Sequence, residues 1–375
     1  MTQRRGGRPR EALEVVALQD FLRLMPFLTK ITLRCENGPK PDSPTFHLIR
    51  LCLTRLLPSP CSTKSLDLEL PIWSSDVLNN IPQTPHLHSF NLVLQIKSYA
   101  SSASHPTDYQ RAKAHVVGFM NARARTLVDW GMTFDWAEHD MAPLFEPLNP
   151  MPNLRSLTLY LGHFTDISPL IRYTNAHPAV QSLRILLLQR VGPDGTPGSS
   201  HPFLTIGSHD PSAKPMFSEL RSLIIELRVL FPRPEALDPS ILNFVRIHSP
   251  MLVSLSITNI VLRLDSIVGL LQLIPRDGPL RSLALDVAGM VMEIKLFDLV
   301  SVCIPKLLEL HLVLNSFPIF DEILDALDSS DYYQWSLRYL SLNYSRVGSA
   351  PAFGDRYTMS LKGAIPTLAE VDLKL

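Results

Sequence analysis

The sequence predicts an α/β fold assembled as a repeat array, with short parallel strands on one side and a helix behind each. Three observations predict it. An apolar pattern, L-x-x-L-x-L with a further apolar residue two places on, recurs along nearly the whole chain. A proline stands at one fixed offset before many of the copies. Between copies the apolar period changes from two to about 3.6.

The copies begin at Leu28, Thr63, Leu87, Leu127, Leu154, Val180, Leu220, Leu252, Leu280, Leu307, Leu337 and Leu368, spaced mostly between 24 and 40 residues apart. Those at Thr63 and Leu127 are the weakest. In a copy such as Leu154-x-x-Leu157-x-Leu159-x-Leu161, alternate residues point the same way in an extended chain, so the leucines share one buried face.

Pro26, Pro85, Pro152, Pro178, Pro250, Pro305 and Pro366 each stand two residues before a motif. Proline fixes its own φ and disfavours helix in the residue before it. It therefore ends one helix and launches the next strand at the same point of each unit. Chance leucine runs would not carry that offset.

Helix signals fill the intervals. Phe320, Ile323, Leu324 and Leu327 recur at i, i+3, i+4 and i+7, as do Ile267, Leu270, Leu271 and Ile274. Ser168-Pro169 and Asp238-Pro239 place a capping side chain before proline at the first helical position. A helix that carries the chain back each time forces consecutive strands to be parallel. Four buried apolar side chains per strand contribute roughly 6–12 kcal/mol gross. Ordering about thirty residues at roughly 1–2 kcal/mol each costs more, so one unit cannot fold alone and a stack can.

Residues 1–14 are expected to be a disordered basic arm, and 15–375 a single solenoid of about twelve irregular repeats. The 375 residues carry 35 Lys+Arg against 35 Asp+Glu, a formal net charge of zero. That balance argues against a dedicated nucleic-acid or membrane-surface protein, which needs a basic excess. No run of apolar residues is long enough to span a bilayer, and Met1 to Glu14 lacks signal-peptide character. Cys35, Cys52, Cys61 and Cys303 show no CxxC pairing, which points to reduced thiols and a cytoplasmic or nuclear location.

With these motifs in view, the chain resembles the leucine-rich-repeat family, and most of all the irregular repeats of fungal F-box-type proteins. Pro152-Asn153-Leu154-Arg155-Ser156-Leu157-Thr158-Leu159 carries the resemblance most clearly, and it extends over most of residues 26–375. It implies a horseshoe with parallel strands on the concave face and helices on the convex face. It further implies a non-enzymatic protein-interaction scaffold, a substrate-recognition module for ubiquitin ligation. Two departures stand out. Of the copies, only the one with Asn315 has the Asn or Cys that regular members place after the last motif leucine. The F-box itself is missing: before Leu28 there is one amphipathic stretch, Ala12–Met25. A Skp1-like adaptor is implied as a partner only if an F-box is supplied elsewhere.

The residues between the leucines face out on the concave side. Serine recurs at the first such position, in Ser65, Ser89, Ser156, Ser182, Ser222, Ser254 and Ser282, where a small side chain suits closely spaced strands. The other outward positions vary, as a reading surface would. Lys30, Arg34, Asp67, Glu69, Tyr160, Arg184, Glu226, Asp286, Glu309 and His311 are the candidate protein-binding residues, a mixed-charge set suited to a protein partner. The Gly/Pro/Ser-rich loop from Arg190 towards Lys214 is a second place for recognition.

No phosphate loop, H-E-x-x-H, paired CxxC or G-x-S-x-G occurs, so no catalytic residue, cofactor or metal is expected. His86 and His88 read as surface histidines. The alternative function rests on Arg4-Arg5-Gly6-Gly7-Arg8-Pro9-Arg10: Gly7–Arg10 resembles the core of an AT-hook, and such an arm would serve a nuclear or DNA-associated factor.

Overall fold

Where leucine alternates with a polar residue, the backbone extends and one side of it is buried. A computed structural model of the chain describes residues 29–34, 50, 53, 63–81, 85–95, 105–134, 140–162, 165–188, 201–205, 215–228, 237–288, 293–315, 320–344 and 351–374. The chain divides into two compact units, Met1–His177 and Pro178–Leu375.

The first unit holds β1 (Lys30–Arg34), β2 (Ser65–Pro71), β3 (Ser89–Gln95), β4 (Asp129–Phe134) and β5 (Ser156–Leu161). Neighbours pair in parallel, with Ile31, Leu66, Phe90, Trp130 and Leu157 in one register row. All five are buried. The weak copies at Thr63 and Leu127 therefore form strands like the rest, and the Thr63 side chain is itself buried. Behind β2 and β3 lie a 3₁₀ segment, Ile72–Asn80, and α1 (His105–Arg123), which pack on each other. The buried Arg123 guanidinium joins them, donating to the Phe119 and Ile81 carbonyls while lying 3.8 Å over the Phe119 ring. Burial lowers its pKa to about 10.

The short α2 (Ala142–Phe145) and α3 (Ser168–Asn175) complete this unit. Around them Trp130, Phe145, Tyr173 and His177 form an aromatic cluster with centroids 4.3 to 6.2 Å apart. His177 is buried and uses both ring nitrogens: Nδ1 donates to the Tyr173 carbonyl at 2.6 Å, and Nε2 accepts the Met151 N–H at 2.8 Å. Only the neutral ring can do both.

The second unit holds β6 (Ser182–Leu188), β7 (Ser222–Arg228), β8 (Ser254–Leu262), β9 (Ser282–Ala288), β10 (Glu309–Asn315), β11 (Tyr339–Tyr344) and β12 (Glu370–Lys374). They too are parallel, with Leu183, Leu223, Leu255, Leu283, Leu310, Leu340 and Val371 in one row. α4 (Pro239–His248), α5 (Leu264–Gln272), α6 (Glu293–Cys303), α7 (Phe320–Asp328) and α8 (Pro351–Ala364) pack each against the next. Ile267, Leu270 and Leu271 of α5 and Ile323, Leu324 and Leu327 of α7 are buried, as their spacing predicts.

Parallel strands in chain order, alternating with helices, make the fold an α/β leucine-rich-repeat solenoid. Pro85, Pro152, Pro178, Pro250, Pro305 and Pro366 all lie in turns just before a strand. Within each unit, neighbouring strands are fastened in the same way, by the carbonyl just before one strand accepting two successive N–H groups at the start of the next. Val253 and Ser254 donate to the Arg221 carbonyl, and Arg281 and Ser282 to that of Val253; Leu308 and Glu309 donate to that of Arg281.

One cap differs from expectation. Asp238 caps α4 as predicted, its carboxylate accepting the Ser240 N–H at 2.7 Å. Ser168, by contrast, is the first residue of its helix, and the capping carboxylate is Asp166, which accepts the Ser168 N–H at 2.9 Å. An acidic side chain is the better acceptor at a helix start, where the backbone amides carry partial positive charge. Among the described residues, no helix is long and apolar enough to cross a membrane.

Candidate functional site

In each unit, the positions between the buried leucines form the face of the sheet that carries no helices. On the first unit's face, Lys30 stands across from Ser65 and reaches diagonally to Asp67 on the same neighbouring strand, with Nζ 2.9 Å from Oδ2. Asn91 on β3, one strand further, donates its amide to the other Asp67 oxygen at 3.1 Å, and the Thr32 hydroxyl adds a longer bond at 3.4 Å. Burial raises the Asp67 pKa, but the hydrogen bonds from Lys30 and Asn91 and the Lys30 charge outweigh it, and the net shift is downward. Asp67 is therefore held as a carboxylate.

The Asn91 amide explains a glycine. A Cβ at Gly131, the position across from Asn91 on β4, would collide with Asn91 Oδ1 and press on Thr158. With no side chain there, the amide can lie over the strand. Beside this array, the Gln95 amide donates to Glu69 and the Ser89 hydroxyl donates to Asp129 at 2.8 Å. Arg34 stands across from Glu69 and is exposed. Lys30, Arg34, Asp67 and Glu69 thus sit on two adjacent strands of one face. Tyr160, the fifth candidate in this unit, differs: at 4% exposure it is buried, so it presents no ring to a partner. Alternation assigns a side chain to a face and does not say what lies on top of it.

On the second unit's face, Arg184 of β6 and Glu226 of β7, two residues along from its register partner Ile224, form an ion pair at 2.5 Å. Glu309 is exposed on β10, and the His311 ring lies 5.1 Å from that of Tyr339 on β11. Asp286 is a correction. It is only 8% exposed, and its Oδ2 accepts the Asn259 N–H at 2.6 Å. Asn259 has a left-handed φ of 61° where β8 bulges between Ile257 and Leu262. Burial raises the Asp286 pKa, partly offset by the Asn259 bond, and Oδ1 has no hydrogen-bond partner. Asp286 holds the bulge together and is not an open contact.

Sequence reasoning missed Asn91, Gln95, Asp129 and Tyr339. Each occupies an outward motif position, so aligning every copy and reading down the columns would have found them. His86 and His88 are exposed, as expected. Among the described residues no group of three His, Cys, Asp or Glu could hold a metal ion. The basic arm 1–14, the loop 190–200, the stretch 206–214 and Cys35, Cys52 and Cys61 lie outside the described residues.

No protein-family model matches the chain, and no curated protein matches it. Among solved structures it is similar to one described as the crystal structure of a Rad7 and Elc1 complex in yeast. The two are 15% identical with a TM-score of 0.44, over 97% of this chain and 78% of that one. A likeness that distant carries no role across.

Proposed function

We propose that this chain is a non-enzymatic scaffold that holds a protein partner on the helix-free face of its sheet. One observation carries the reading: the Lys30–Asp67–Asn91 array, set over Gly131, is a polar surface ordered before any partner arrives. Side chains already fixed by one another lose little freedom on binding, which favours recognition by charge and shape. The face mixes cations and carboxylates, and the whole chain has no net charge, so a mixed-charge protein surface fits it better than a phosphate backbone.

The test is purification of the tagged protein from cells with the sheet face reversed by Asp67→Lys and Glu69→Lys. Partners held by the wild type and lost from this variant, but retained by Asp355→Lys on α8, support the reading. Partners indifferent to both changes overturn it.

The finer role is substrate recognition of the F-box type, in the cytoplasm or nucleus, and it rests on the resemblance of the repeats around Pro152–Leu159. A recombinant Skp1-like adaptor tests it directly. Capture by the full-length gene product supports the role; no capture removes it and leaves the scaffold reading standing.

A further inference from the structure

We propose that the rim of the second unit, where its strands begin, binds an acidic peptide in the polyproline II conformation with a carboxylate at every third residue. The site is separate from the sheet face and does not depend on what that face binds.

The residue immediately before each strand forms a row along this rim. It reads Arg221, Val253, Arg281, Leu308, Arg338 and Ala369, before β7 to β12 in turn. Arginine and an apolar residue alternate. The row is fixed by the backbone: Val253 N–H donates to the Arg221 carbonyl, and the same step repeats from each residue to the next through Ala369, at 2.7 to 2.9 Å. Adjacent strands stand about 4.8 Å apart, so successive arginines stand roughly 9.6 Å apart.

That spacing selects a ligand. A polyproline II helix has three residues per turn and rises about 3.1 Å per residue, so every third side chain points the same way at about 9.3 Å intervals. A β-strand ligand would offer about 6.7 Å or 13 Å on one side, which fits less well. Between the arginines, Val253 is 37% exposed and Leu308 half-buried, giving apolar ground for the two intervening residues of each turn. Proline suits those places because the conformation needs no backbone donors.

The charges agree. Arg221 and Arg338 are exposed, and among the described residues neither is in an ion pair. Arg281 is half-buried and steadied by bonds from Nη1 to the Gly278 and Leu280 carbonyls, leaving its second amino group for a carboxylate. In the adjoining turns, Arg276 adds positive charge, Lys306 and Asp277 offset one another in an ion pair at 2.9 Å, and Glu219 accepts from Gln181. Glu309 and Glu370 stand one residue further along, on the sheet face.

The experiment is fluorescence anisotropy of the full chain with a fluorescein-labelled peptide of repeating Glu-Pro-Pro, against repeating Glu-Pro of equal length and charge-matched ends. At low ionic strength the Glu-Pro-Pro peptide binds more tightly, and binding fades as salt rises. Arg221→Ala and Arg338→Ala each weaken it roughly two- to five-fold, the range of exposed ion pairs, and the triple reversal of Arg221, Arg281 and Arg338 to Glu abolishes it. Circular dichroism confirms that the variants fold. Asp67→Lys leaves binding unchanged, which separates this site from the sheet face. Equal affinity for both peptides, or binding that survives the triple reversal, overturns the proposal. So does displacement by poly-uridylate at lower concentration than by unlabelled peptide, which marks an unspecific polyanion surface.

Discussion

His177 makes the stability of the first unit depend on pH, and the size of the effect follows from its two bonds. Nε2 accepts the buried Met151 N–H, and an imidazolium cannot accept. Burial lowers the His177 pKa, opposed by its bond to the Tyr173 carbonyl. A depressed pKa means that the unfolded chain takes the proton first. The contribution is therefore complete above the unfolded value near 6.5, and is lost as pH falls through the folded value. In the variant His177→Ala the Met151 N–H is orphaned, at about 1–3 kcal/mol, and the ring packed at a tilt 4.3 Å from Tyr173 disappears, at about 0.5–1.5 kcal/mol. Together these are about 1.5–4.5 kcal/mol at neutral pH, a fall in Tm of roughly 3–18 °C at about 2–4 °C per kcal/mol. Thermal melts between pH 5 and 8, about the span of histidine titration, measure both quantities. The wild type should lose Tm on acidification faster than the variant, so that the gap between them narrows. What acid sensitivity remains belongs partly to His248, which is buried in the second unit with its pKa lowered in the same way. A gap that stays constant across the range refutes the reasoning, because Nε2 would then carry no proton-dependent bond.

Asp286 predicts the opposite sign. Its raised pKa gives stability that is full below the unfolded value near 3.8 and is lost as pH rises through the folded value. Asp286→Asn should remove that loss and flatten the melting profile as pH rises above about 3.8, while Asp286→Ala orphans the Asn259 N–H and destabilises by about 1–3 kcal/mol at any pH. Asp238→Ala removes the cap of α4 and should cost about 0.5–2 kcal/mol by urea denaturation, more than the same change at the exposed Asp355. Leu310→Ala, at a fully buried position in the middle of the second unit's sheet, should cost about 2–5 kcal/mol.

The strands could be read from the sequence because two unrelated constraints coincide at seven of the twelve motif copies. Leucine alternation needs a buried side, and proline at a fixed offset needs a turn; the copies at Thr63 and Leu127 lack that proline and form strands on alternation alone. The candidate face was legible in direction and less so in exposure. Lys30, Arg34, Asp67, Glu69, Arg184, Glu226, Glu309 and His311 stand where alternation puts them. Asp286 does not meet solvent because the β8 bulge at Asn259 brings backbone against it, and a bulge of one residue leaves no mark in an apolar pattern. Tyr160 is buried too, which the alternation of its own strand does not reveal. The partnership of Asn91 with Gly131 was hidden because a lone glycine in a strand has many readings until its neighbour is known.

Fastening a strand to its predecessor by two amides where it begins has a consequence for how such a protein can change. Once those two N–H groups find the carbonyl before them, nothing downstream of the strand is needed to set its register. Segments between strands can lengthen, shorten or be exchanged for foreign ones at a cost that grows only slowly with length. The uneven spacing of the motifs, 24 to 40 residues, is what that tolerance produces. It offers an engineer many places to graft a new loop without disturbing the stack.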